Sequence, residues 1–327
     1  AGKKEGSYFI QADSEGDGHT TVGSKEVQNT DIVQDGIIAT YNGVGTITLG
    51  NGAVLKNYGG MSAVRLASGV LVMEEGSQII DDTTITREKG KTGSFGPGGA
   101  IWLQGGTLNM KGGIIGGIND ATMNGRAVFV DSGIANIGGT IQNIAGTDAA
   151  WHGQNGIAVH LRSGGEATLT STSKINNVTG EFAGNNSAIW SQFCNFTTEN
   201  GSYISKVDGI PVLYFDDLNQ NYTHKIFLNG TISDCDSGTS YLFRSWYGLI
   251  ELGENGIIEN CQTNNAGGLI YSNNGSHYII RGTIQKNKAT RYGFLPNAMI
   301  YMANQSGGTP ICTIESTARI IDNTGLG

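Results

Sequence analysis

Residues 98–119, GGAIWLQGGTLNMKGGIIGGIN, constrain this chain more than any other stretch. They read as three short strands: Ala100-Ile101-Trp102-Leu103, Thr107-Leu108-Asn109-Met110 and a third opening at Ile114-Ile115. Gly105-Gly106 and Gly112-Gly113 separate them. Apolar residues alternate with other types inside each piece, the period of a strand with one buried face. Glycine at the corners admits the positive φ that a sharp bend needs. Three strands and three corners in so short a run make one turn of a coil. A single turn cannot bury its apolar face, so it must stack on copies of itself.

The copies are present. The first strand returns as Ala63-Val64-Arg65-Leu66, Ala127-Val128-Phe129-Val130, Ala158-Val159-His160-Leu161 and Ala188-Ile189-Trp190-Ser191. It continues as Val212-Leu213-Tyr214-Phe215, Tyr241-Leu242-Phe243-Arg244, Leu269-Ile270-Tyr271-Ser272 and Met299-Ile300-Tyr301-Met302. The third strand returns as Thr140-Ile141-Gln142-Asn143, Lys174-Ile175-Asn176-Asn177, Ile257-Ile258-Glu259-Asn260 and Arg319-Ile320-Ile321-Asp322, among others. Constant strands at variable spacing are what corner insertions in a solenoid produce. The pattern predicts an all-β chain: a single-stranded parallel β-helix of about ten rungs over 31–327. A polar N-terminal loop or cap is expected over 1–30.

Composition narrows the classes further. Glycine supplies 52 of 327 residues without a Gly-X-Y period, which excludes collagen. Only 4 prolines interrupt the chain, as unbroken strand pairing requires. The balance of 20 basic against 28 acidic residues argues against a nucleic-acid partner. No apolar run is long enough for a transmembrane segment. The chain stops just after a third strand, which points to further domains, a cap or end-to-end self-association. Asp13, Glu15 and Asp17 alternate as in a calcium loop, but position twelve is Ser24 rather than Glu, so calcium is a weak expectation and a solvated loop the stronger one. Cys235 and Cys261 each sit three residues after a third-strand isoleucine on neighbouring rungs. They are either buried free thiols or a disulfide.

Alternation turns the second and fourth residues of each first strand inward and the third outward. The third positions then form a column: Arg65, Trp102, Phe129, His160, Trp190, Tyr214, Phe243, Tyr271 and Tyr301. Beside it runs a polar column that includes Asp131, Arg162, Gln192 and Asp216. Two readings follow. Rings in register can form a packed ladder, or flat rings flanked by amides and carboxylates can bind sugars.

The repeat, a small residue then Ile-aromatic-Leu, Gly-Gly, Thr-Leu-x-Met, Gly-Gly-x-Ile and Asn, resembles the degenerate repeats of large bacterial surface proteins and adhesins over roughly residues 44–325. That resemblance implies a right-handed, pectate-lyase-like β-helix and a secreted or cell-wall-attached location. It is specific for fold rather than activity, because the same fold carries adhesins, lyases and glycosidases. Asn29-Thr30-Asp31, Asp81-Asp82, Arg87-Glu88-Lys89 and His152-Gly153 match motifs of polygalacturonase-type enzymes singly, but in the wrong order and spacing.

The expectation is therefore a non-enzymatic β-helix that binds a glycan or glycoprotein on a host or plant surface through the column. The alternative is a glycoside hydrolase similar to lacto-N-biosidases, or a polysaccharide lyase, with Asp216 and Asp217 as candidate catalytic residues. A third reading is a stalk or filament scaffold.

Overall fold

The computed structural model describes residues 45–58, 62–80, 99–118, 127–146, 156–180, 186–217, 222–265, 268–290, 299–303 and 308–325, together with short strands between 3 and 40. The Asp13, Glu15 and Asp17 loop lies outside these residues. Among the described residues every regular element is a strand. Most strands form three 11-stranded sheets, and within each of these a strand pairs in parallel with its counterparts one turn earlier and one turn later; a short three-stranded parallel sheet and an antiparallel pair of Lys3–Lys4 with Ser7–Tyr8 account for the others. This is an all-β stack of parallel sheets, the arrangement of a parallel β-helix solenoid.

The opening stretch illustrates how sequence becomes rung. Gly99–Leu103 lies in the first sheet, Thr107–Met110 in the second and Ile114–Ile118 in the third. Trp102 pairs with Arg65 and Phe129, Leu108 with Leu71 and Ala135, and Ile115 with Ile79 and Ile141. Glycine is required at the corner between the second and third strands. Gly113 has φ 82, and a Cβ there would come within 2.6 Å of the Ser77 carbonyl oxygen one turn below. Strand pairing also reaches back before residue 31, since His19–Val22 pairs with Thr46–Leu49 and Glu26–Asn29 with Val54–Tyr58.

Inward residues fill the tube. The third sheet contributes Ile79, Ile115, Ile141, Ile175, Ile204, Ile232, Ile258 and Ile284, all buried. Burial of each such side chain stabilises the fold by roughly 1.5–3 kcal/mol. The third sheet then bends at a left-handed residue in successive turns: Asn143, Asn177, Lys206, Asp234, Asn260, Lys286 and Asp322, with φ between 53 and 55. Asn and Asp tolerate this conformation because a short polar side chain can hydrogen-bond locally, and the Asn177 amide donates to Asn143 Oδ1 at 2.7 Å. At the C-terminal end Ile314 and Ile320 continue the inward columns of Ile280 and Ile284. They are nonetheless 59 % and 39 % exposed, since no described strand lies beyond them.

One rung corrects the expected register. Phe243 pairs with Leu213 and Ile270, which are inward residues, and it is buried in the core. Arg244 occupies its place in the outward column, between Tyr214 and Tyr271. The aromatic character of Phe243 matched the column, but Leu242, not Tyr241, is the equivalent of Val212 and Leu269. The whole strand therefore shifts by one residue, and Trp246 falls in the flanking polar column beside Asp216 and Asn273.

Candidate functional site

The outward column exists, but it is not the open strip that alternation alone suggested. Trp102, Phe129, His160, Trp190 and Tyr214 stand in register on five successive strands. All are buried, with Trp102 the most exposed at 5 %. Alternation decides which side of a sheet a residue leaves from, not whether that side is reached by water. Each ring here is flanked by the next. Ring centroids lie 6.3, 4.9, 4.4 and 6.0 Å apart, at interplanar angles of 45°, 78°, 37° and 52°. Tilted and edge contacts of this kind are the favoured geometry of aromatic packing.

Arginines cover parts of this ladder. The Arg65 guanidinium lies 4.5 Å from the Trp102 ring centre, and that of Arg162 lies 5.3 Å from Phe129. Arg65 Nε donates to Gln104 Oε1 at 2.9 Å, and Arg162 Nε pairs with Asp131 at 3.0 Å. Asp131 and Arg162 thus bind each other. His160 carries the clearest electrostatic consequence. Neither ring nitrogen has a hydrogen-bond partner among the described residues. Burial, with Arg162 adding to it, lowers its pKa from 6.5 to about 3. His160 is neutral across the physiological range and acts as one more packed ring.

The column changes character after Tyr214. Tyr241 stacks on Tyr271 at 4.3 Å and 17°, and Tyr271 on Tyr301 at 5.8 Å and 19°. Tyr241 and Tyr301 are partly exposed, while Tyr271 between them is 6 % exposed. Arg244, also partly exposed, lies 5.3 Å from the Tyr214 ring centre and 5.7 Å from that of Trp246.

Carboxylates border this patch. Asp216 pairs in register with Gln192 below and Trp246 above. Its Oδ1 is buried without a hydrogen-bond partner among the described residues. Burial, and secondarily the neighbouring Asp217, push its pKa up from 3.8 to about 6 despite the opposing pull of Arg244. Asp217 is committed differently. It is fully buried, accepts the His224 backbone N–H at Oδ2 (3.3 Å) and meets His224 Nδ1 at 3.2 Å through Oδ1. Both of its oxygens are therefore bound within the chain.

The adjoining corner is strained. Phe193, Tyr222 and Tyr247 hold φ 55, 50 and 58. Bulky residues rarely adopt that region, and such outliers concentrate at functional sites. Tyr222 is fixed further by its hydroxyl, which donates to the Gly275 carbonyl at 2.9 Å, and by an edge contact with His277.

Of the residues singled out from sequence, Tyr214, Asp216, Asp217, Tyr271 and Tyr301 meet in this region. Trp102, Phe129, His160 and Trp190 belong to the sealed ladder, and Phe243 to the core. Arg244, Trp246, Tyr241, Tyr222 and His224 are not among the candidate site residues that the sequence suggests. The register slip hid the first two. A better signal was available: Leu242-Phe243 repeats the paired apolar entry of Leu269-Ile270. Among the described residues no group of three or more His, Cys, Asp or Glu could hold a metal ion. No protein-family model, curated protein or solved structure matches the chain.

Proposed function

We propose that this chain is a glycan-binding region of a bacterial surface protein, a right-handed β-helix of about ten rungs that is secreted or attached to the cell wall. The contact surface is the C-terminal part of the outward column, Arg244, Tyr271 and Tyr301, with Tyr241 just before the Arg244 strand and Trp246 and Asp216 in the flanking column. The observation that carries this reading is the near-parallel Tyr241–Tyr271–Tyr301 stack, partly open beside a guanidinium and an indole. A pyranose presents an apolar face that packs on such rings, while its hydroxyls take hydrogen bonds from charged and polar neighbours. The sealed upstream ladder is the rigid support for this patch. Its partner would be a host or plant glycan or glycoprotein, bound without chemistry.

A glycan array of mucin-type and plant cell-wall glycans, probed with the wild-type chain and with Tyr241→Ala and Arg244→Ala, tests this. Binding lost in both variants supports the patch. Binding absent in the wild type, or retained at full strength by both variants, overturns it.

One observation favours a second reading. A carboxyl that titrates near 6 is a serviceable proton donor, so Asp216 suits the general acid of a glycosidase. That chemistry needs a second carboxylate about 5–10 Å away, and Asp217 is occupied by His224. Reducing-sugar release from the same glycans, abolished by Asp216→Asn, would establish it.

A further inference from the structure

Cys235 and Cys261 occupy matched places on successive turns. Ile232 pairs with Ile258, and Ser233 with Glu259. The left-handed bend follows at Asp234 and Asn260, each with φ 53, and the cysteines come next. Beyond them Asp236 pairs with Gln262, and the Gln262 N–H donates to the Cys235 carbonyl at 2.8 Å. Pairing on both sides pins the two Cα atoms at about the spacing of adjacent strands, ~4.8 Å. That lies inside the window a disulfide spans. Both side chains are 1 % exposed and belong to the core. Both are thiols in this structure, and a hydrogen bond between them holds the Cys261 thiol well above its ordinary pKa.

The column they belong to changes chemistry at this point. On earlier turns it holds Ile144, Val178 and Val207, which pack as aliphatics. On later turns it holds Asn287 and Asn323, tied by an amide hydrogen bond of 3.0 Å, and Asn287 Oδ1 accepts the Cys261 N–H at 2.9 Å. The thiols sit between a segment joined by packing and one joined by hydrogen bonds. The other two cysteines are elsewhere. Cys194 follows the Phe193 bend and donates to the Gln192 carbonyl, and Cys312 pairs with Tyr278 in the second sheet.

We propose that Cys235 and Cys261 are an oxidisable pair whose disulfide cross-links two consecutive turns at the start of the segments that continue to Tyr241 and Tyr271. The segments leaving the two cysteines are already bound to each other. Asn264 N donates to the Gly238 carbonyl and Asn265 Nδ2 to the Thr239 carbonyl, both at 2.6 Å. They lead to Tyr241 and Tyr271, so the bond would brace the stacked pair. The oxidant is a small-molecule disulfide such as oxidised glutathione. One cysteine thiolate attacks its sulfur and expels one glutathione thiolate. The second cysteine, deprotonated, attacks the mixed disulfide and expels the other. The two protons lost by the cysteines end on the two glutathione thiols, and two electrons pass to the oxidant. Because the hydrogen bond with Cys235, and secondarily burial, disfavour the Cys261 thiolate, the bond forms during folding or on transient opening rather than in the closed stack.

The test is refolding of the full chain in a glutathione redox buffer, alkylation of remaining thiols in denaturant, and peptide mapping. Two of the four thiols should resist alkylation, and one linked peptide pair should join Cys235 to Cys261. Cys194→Ser and Cys312→Ser should leave that link intact, and the oxidised chain should melt at a higher temperature than the reduced one. The same trapping applied to the native chain with oxidised glutathione in mild denaturant requires no refolding. Four alkylated thiols in both experiments, or links through Cys194 or Cys312, would overturn the proposal.

Discussion

The outward column of the first sheet is one feature built in two ways. From Trp102 to Tyr214 the rings meet at interplanar angles of 37–78° and are buried. From Tyr241 to Tyr301 they lie within 17–19° of parallel, and the outer two are partly open. The column strands pair in parallel throughout, but Tyr241 precedes the Phe243–Trp246 strand, and Arg244 rather than a ring takes the column position on that turn. The difference comes from that break in the ring series and from the side chains around it. Mixed ring shapes interlock and exclude water, whereas like rings on successive turns stack face to face and leave an edge accessible. A repeated position in a solenoid thus has no fixed role; its neighbours one turn away decide whether it is core or surface.

The sharpest way to break this comparison is truncation. Trp190→Ala removes a ring that is 2 % exposed and should destabilise the chain by about 3–5 kcal/mol. Tyr301→Ala at the open end should cost much less. Chemical denaturation followed by far-UV circular dichroism measures both, and equal losses would mean the two stretches are packed alike.

Acid offers a second contrast, because the two stretches respond in opposite senses. His160 has a folded pKa of about 3, below its unfolded value. Its contribution is present above about pH 6.5 and is lost as pH falls toward 3, with a limiting size on the order of 4 kcal/mol. His160→Phe should flatten the stability profile across that window, read from urea midpoints at successive pH values. Asp216 has a raised folded pKa of about 6. Its protonated form stabilises the fold below about pH 4, and that contribution disappears as pH rises through 6. Asp216→Asn, which resembles the protonated form, should therefore stabilise the chain above pH 6, by about 1–3 kcal/mol. No gain at pH 8 would show that Arg244 already compensates the charge.

The smallest expected effect is spectroscopic. The partly exposed Trp246 should be quenched by iodide more readily than the buried Trp102 and Trp190. In a Trp151→Phe background, Trp246→Phe should remove most of the quenchable emission with little change in stability. Quenching that survives both substitutions would show that the upstream ladder is open to solvent.

Much of this architecture was legible in the residues themselves. The glycine corners, the inward isoleucines and the returning small-apolar-ring pattern dictate strands that stack in parallel, because no single turn buries its own face. Alternation also identified Trp102, Phe129, His160, Trp190, Tyr214, Tyr271 and Tyr301 as one column. A period of two alone does not set the register of the Phe243–Trp246 strand, because Phe243 can be read either as the outward ring or as the inward apolar residue that follows Leu242. Pairing with Leu213 and Ile270 chose Phe243 for the core and Arg244 for the surface. Nor could local pattern say which rings meet water. Exposure depends on what lies one turn above and below, some 25–35 residues away in a repeat of this kind, and only the tertiary structure brings those neighbours into contact.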